Sequence, residues 1–106
     1  MGRRERLLVI YDILKAANER DVFSERRGAT RTRIMYRANL SFDQLKIYLP
    51  LLIQLGLLEE AKNGRNVRYR PTEEGIRFLN YMEPVREFFI EFIKAERAYK
   101  LKNKSS

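Results

Sequence analysis

Two helix starts stand only eleven positions apart in this chain, at Thr30 and Ser41, and that spacing limits the folds open to it. Thr30 occupies an N-cap position ahead of residues 31–38, where Ile34 and Ala38 share a face four residues apart. Ser41 restarts the signal, and Gln44 three residues later completes the Ser-x-x-Gln form of a capping box. Only Asn39 and Leu40 lie between them, so a short helix has to turn sharply into a second one. Leu45, Leu49 and Leu52 form the core stripe of that second helix, and Gly56 after Leu55 fits its stop. Pro50 lies beyond the first turn, where it removes the hydrogen bond to the Lys46 carbonyl at a cost of about 3 kcal/mol. A kink, or two shorter helices, is expected there.

The flanks have clear periods of their own. Over residues 4–19, Leu7, Ile10, Tyr11, Leu14 and Ala17 recur at helical spacing, which predicts a first amphipathic helix. Residues 21–29 lose the pattern and read as an irregular loop with Gly28 near its end. Residues 57–62 and 67–70 are short extended runs joined by a loop that begins Asn63-Gly64, a strong hairpin signal. Val67 and Tyr69 then point to one side of the hairpin, and Arg68 and Arg70 to the other. Thr72 caps a last helix whose first turn holds Glu73 and Glu74.

That helix carries Phe78, Tyr81, Val85, Phe88, Phe92, Ala95 and Tyr99 at spacings of 3 and 4 in alternation, an apolar seam three heptads long. Ile76, Leu79, Met82 and Phe89 form a second stripe beside it, so one face can cover the body while the other meets a partner. Pro84 is expected to bend the rod or to start a second helix. The fold class is thus mainly α with a small β-hairpin, an α+β arrangement. It divides into a body over residues 1–71 and a C-terminal dimerisation helix over residues 72–106, which ends in a short basic tail.

A length of 106 residues leaves room for one compact domain and one extra element. Residues 1–71 hold 15 basic and 8 acidic residues, whereas residues 72–106 hold 7 and 6, so nearly all of the net +8 belongs to the body. Such localisation points to a polyanionic partner for the body and a different task for the last helix. The chain has no cysteine and no histidine, which excludes disulfides and thiolate metal sites and removes the usual nucleophile–base pairings. Glu59-Glu60 and Glu73-Glu74 make no catalytic pair: neighbours on a strand face opposite sides, and glutamates in a first helical turn suit the helix dipole. No enzymatic activity, cofactor or metal is expected. No apolar run approaches the roughly 18 to 20 residues of a membrane span.

Helix, short helix, tight turn, helix, hairpin, long helix is the order of a helix-turn-helix unit followed by a wing. An α-helix fits the major groove of DNA, roughly 12 Å wide, while a basic hairpin reaches the phosphates or the minor groove beside it. The segments GATRTRIMYRANLSFDQLKIYL, LGLLEE and YRPTEEGIRFL resemble the archaeal winged-helix family of small DNA-binding transcriptional regulators and chromatin-associated proteins. The resemblance spans about residues 5–100. It implies a C-terminal helix that forms an antiparallel coiled coil in a homodimer. The lack of an apolar span, and of a short apolar segment near the start followed by a cleavage site, sets the expectation of no membrane role and a cytoplasmic, nucleoid-associated location.

The resemblance further implies that Thr30, Arg31, Thr32 and Arg33 open the positioning helix, that Ser41, Phe42 and Gln44 open the recognition helix, and that residues 65–70 form the wing. Candidate DNA contacts are therefore Ser41, Phe42, Gln44 and Lys46 toward base edges, and Arg26, Arg27, Arg31, Thr32, Arg33 and Arg37 toward phosphates. Arg65, Asn66, Arg68 and Arg70 are the wing contacts. Ile47, Pro50 and Leu51 put apolar groups on the recognition helix, where they meet thymine methyls or a protein. The expected function is that of a homodimeric regulator binding double-stranded DNA. An architectural chromatin protein with little sequence preference, or an adaptor that docks a protein and needs no DNA, are the alternatives.

Overall fold

The computed structural model describes residues 6–19 and 28–103. The loop over residues 21–27 with Arg26 and Arg27, the first turn expected from residue 4, and the last residues of the basic tail lie outside the described residues. The elements run α1 (Arg6–Ala17), α2 (Arg31–Ala38), α3 (Phe42–Gln54), β1 (Leu58–Asn63), β2 (Asn66–Pro71) and α4 (Glu73–Lys102).

α1 is the centre of the body and is buried over most of its circumference: Val9, Ile10, Tyr11, Ile13, Leu14, Ala16 and Ala17 all lie in the core. Ile34 and Ala38 of α2, Leu45, Leu49 and Leu52 of α3, and Leu58 and Tyr69 of the hairpin close around it. Leu7, expected in the core stripe, is instead exposed, because the buried face of α1 is set by Val9, Ile10 and Ile13.

β1 and β2 pair antiparallel, with Leu58 opposite Pro71, Glu60 opposite Tyr69, and Asn63 opposite Asn66. The turn is therefore Gly64-Arg65, one residue later than an Asn63-Gly64 turn would have it. Gly64 has φ +65° and Arg65 lies on the negative side, which matches a turn needing positive φ only at its first central position. Ala29 adds one residue of a third strand: its N–H and carbonyl exchange bonds of 2.9 Å with Tyr69. Part of the segment read as irregular loop is thus a minimal strand.

α3 runs unbroken through Pro50, and α4 runs unbroken through Pro84, so neither proline splits its helix into two. Both prolines are exposed, as are Lys46 and Asn80, the residues whose carbonyls lose their donors. Water can therefore satisfy those carbonyls, while the packed stripes on the opposite faces hold the helices in register.

The join between α3 and α4 is stitched by backbone. Gly56, at φ +76°, ends α3 with paired bonds from Gly56 N–H to the Ile53 carbonyl and from Leu57 N–H to the Leu52 carbonyl, both 3.0 Å, the Schellman pattern. Thr72 then ties α4 to this stop. Its N–H donates to the Leu57 carbonyl at 3.1 Å, its hydroxyl donates to the Gly56 carbonyl at 2.5 Å, and the same oxygen accepts from Gly75 N–H at 3.1 Å. The first turn of α4 consequently rolls against the Leu57 carbonyl at Gly75.

Leu79 and Met82 are the last fully buried side chains of α4. A polar clamp holds the helix where it leaves the body: the Tyr11 hydroxyl donates to the Glu83 carboxylate, Lys15 lies 3.8 Å from Glu83, and Arg86 lies 3.7 Å from Asp12. Burial first, and then the Glu83 carboxylate, hold the Tyr11 hydroxyl above its ordinary pKa, which keeps it a neutral donor. Beyond this point α4 projects from the body, and the molecule reaches 62 Å along its longest axis.

Candidate nucleic-acid interface

The angle between α2 and α3 is fixed by two caps in direct succession. Asn39 takes the left-handed conformation at φ 53°, one that Asn tolerates better than most residues. The Asn39 N–H bonds the Tyr36 carbonyl at 3.3 Å and the Leu40 N–H bonds the Met35 carbonyl at 3.0 Å, so α2 ends in a second Schellman motif. Leu40 turns inward and is buried. Ser41 follows at once with both bonds of the capping box: Gln44 Oε1 accepts from Ser41 N–H at 3.0 Å, and Ser41 Oγ accepts from Gln44 N–H at 3.1 Å. Thr30 opens α2 in the same manner, accepting from Arg33 N–H at 3.3 Å.

This arrangement separates the candidate side chains. Ser41 and Gln44 belong to the cap, and the Gln44 carbonyl is held by the backbone rather than offered to a base. Phe42 is half-exposed, and the Arg31 guanidinium lies 5.6 Å above its ring. Arg31, Thr32 and Lys46 are exposed around the α2 N-terminus and the flank of α3. Arg33 and Arg37 share one carboxylate, Glu19, at 3.7 and 3.3 Å, which cancels part of their charge and turns them toward the end of α1.

The wing divides likewise. Arg65 sits at the turn, exposed, with no ion pair among the described residues, and Asn66 is exposed beside it. Arg68 donates to the Gly28 carbonyl at 3.1 Å, and Arg70 binds Glu59, its direct cross-strand neighbour, at 2.6 Å. Both lie on the hairpin face opposite Val67 and Tyr69, as alternation requires.

Lys62, opposite Val67, was missed in the sequence reading. Its side chain is exposed, and Glu60 is 4.0 Å away. The signal was present in LEEAKN, where Leu58, Glu60 and Lys62 must share the face that carries Tyr69 and Val67. A shallow trough of about 540 Å³ lies between the hairpin and the two helices, with Thr30, Arg31, Phe42, Lys62 and Val67 in its walls.

Ile47, Pro50 and Leu51 are exposed on α3, Ile47 at 70%. On α4, Phe78 packs partly against the body, so the exposed seam begins at Tyr81 and continues through Val85, Phe88, Phe92, Ala95 and Tyr99, with Phe88 at 69% and Phe92 at 55%. Among the described residues no group of three or more acidic, His or Cys side chains could hold a metal, and no helix is long and apolar enough to cross a membrane.

Three helices around a capped turn, a minimal third strand and a two-stranded wing define a winged helix. The family model for the winged helix-turn-helix matches residues 3–89, and the chain belongs to that family. Among solved structures it is similar to Sso10a-2, a DNA-binding protein from Sulfolobus solfataricus, with a TM-score of 0.71 and 19% identity over 94% of this chain and 97% of that one. It is also similar to the PcaV transcriptional regulator from Streptomyces coelicolor, with a TM-score of 0.53 and 20% identity over 86% of this chain and 72% of that one. A DNA-binding TubR fragment from Clostridium botulinum gives a TM-score of 0.55 and 19% identity over 77% of this chain and 99% of that one. At these identities the likeness is one of fold. No curated protein is significantly similar to the chain in sequence.

Proposed function

We propose that the protein is a homodimer that binds double-stranded DNA as a transcriptional regulator. The observation that carries this reading is the capped turn from Asn39 to Ser41, which sets α3 beside exposed cations: Arg31 and Lys46 flank one groove with Pro50, Arg31 and Lys62 flank the next with Phe42, and Arg65 is exposed at the wing turn. In this reading α3 enters the major groove, the α2 N-terminus meets phosphate through Arg31 and Thr32, and the wing reaches the neighbouring backbone through Lys62 and Arg65. Gln44 positions the helix, Arg68 ties the wing to the Gly28 carbonyl, and Arg70 braces the two wing strands through Glu59.

Dimerisation uses the exposed seam of α4, which the body is too small to cover. Residues 83–91 carry Glu83, Glu87 and Glu91 against Arg86, whereas residues 94–102 carry Lys94, Arg97, Lys100 and Lys102 against Glu96. Two copies side by side in opposite directions place the acidic half of each helix on the basic half of the other. A parallel pair would set like charges together. DNA binding is placed in the cytoplasm, at the nucleoid.

A specific observation favours a second, related reading. The central exposed face of α3 offers few hydrogen-bonding groups, which suits an architectural protein with little sequence preference. Arg65→Ala tests the wing: affinity for duplexes of any sequence should drop, and the slope of log affinity against log salt should become shallower by about 1 for each wing lost. Titrations indistinguishable from wild type would remove Arg65 from the contact.

A further inference from the structure

The outward row of α3 supports an inference about which DNA the protein prefers, and it rests on the DNA-binding reading above. Leu45, Leu49 and Leu52 face the core, so the positions opposite them on the helix are Asp43, Ile47, Pro50 and Gln54. All four are exposed, and Leu51 lies beside them. Ile47, Pro50 and Leu51 have no side-chain group able to hydrogen-bond a base edge. Asp43 repels phosphate, and the Gln44 amide is folded into the cap. The centre of the row is therefore apolar, while Arg31 and Lys46 flank it in one groove with Pro50 and Lys62 lies beyond Arg31 in the next.

One apolar group projects into the major groove of unmodified DNA, the C5-methyl of thymine. We propose that Ile47 reads thymine methyl groups, and that the preferred ligand is A·T-containing duplex contacted through the major groove. The dimensions of the patch agree with this. The row holds three apolar side chains between Asp43 and Gln54, whereas a stable protein interface takes roughly 20 to 30 residues from each partner. The row is wide enough for one or two methyls, and the surrounding cations complement the flanking phosphates.

The test is equilibrium binding of the full chain and of Ile47→Ala to two duplexes that differ only in deoxyuridine for thymidine, at one salt concentration. Wild type should prefer the thymine duplex by about fourfold for each methyl it touches, the transfer value of one buried methyl. Ile47→Ala should bind both duplexes about as wild type binds the uracil one, with an unchanged salt slope, because no charge has been altered. Equal wild-type affinities for the two duplexes would overturn the inference and leave the patch to a protein partner. A thymine preference that persists in Ile47→Ala would equally overturn the assignment to Ile47. Failure to bind either duplex is a different result, since it removes the DNA-binding reading itself and this inference with it.

Discussion

Gly75→Ala should destabilise the body by about 3 kcal/mol or more, although alanine is the better helix former by about 1 kcal/mol. A Cβ built at this position would lie 2.1 Å from the Leu57 carbonyl oxygen and 3.0 Å from Cβ of Pro71. The obstacle is backbone, and that backbone is already committed: the Leu57 carbonyl accepts from Thr72 N–H, while the Thr72 hydroxyl binds Gly56 and caps Gly75. α4 cannot lift away from Leu57 without breaking its own cap and its tie to the end of α3. At the usual scale for a domain of this size the melting temperature should fall by roughly 12 °C or more. Thermal unfolding followed by circular dichroism measures it. A variant as stable as wild type, or more stable, would mean that α4 is not seated on the α3–β1 junction in this way.

Replacing Phe88 and Phe92 together by glutamate should convert the proposed dimer to monomers. Burial of a phenylalanine contributes about 1.5 to 3 kcal/mol, and four such side chains would leave the interface of a dimer. The loss is therefore about 6 kcal/mol before any penalty for facing carboxylates, or more than four powers of ten in the dissociation constant. Both side chains are exposed on the single chain and lie beyond Met82, the last buried position of α4, so the body should keep its fold and its melting transition. Sedimentation or light scattering should give the mass of one chain. A mass that stays at two chains would place the dimer on another surface.

How much of this was legible in the sequence depended on the range of the interaction. The capped turn was readable because Thr30, Asn39, Ser41 and Gln44 act on backbone within three or four residues of themselves. The hairpin and the faces of Val67, Tyr69, Arg68 and Arg70 followed from alternation alone. The partners on those faces did not. Arg70 meets Glu59, and Arg68 meets the Gly28 carbonyl forty positions away, only once the register and the extra strand at Ala29 are known.

Gly75 was not legible because its reason lies in Leu57, which comes alongside only when the hairpin closes and brings Thr72 back to the end of α3. Of the outcomes expected at the prolines, two separate helices do not occur. Each proline loses a hydrogen bond, but with Lys46 and Asn80 at the surface the freed carbonyls face water, and the cost is too small to end helices held by Leu45, Leu49, Leu79 and Met82. Which cations pair with carboxylates was beyond the reach of composition, since the positions of Glu19 and Glu59 set it only once the fold is known.

The affinity for a duplex across a range of salt tests the central claim most directly. On the proposed reading, Arg31, Lys46, Lys62 and Arg65 in each of two copies neutralise about eight phosphates, so log affinity should fall against log salt with a slope of about −7. A flat response, or no binding at about 50 mM salt, would contradict the account.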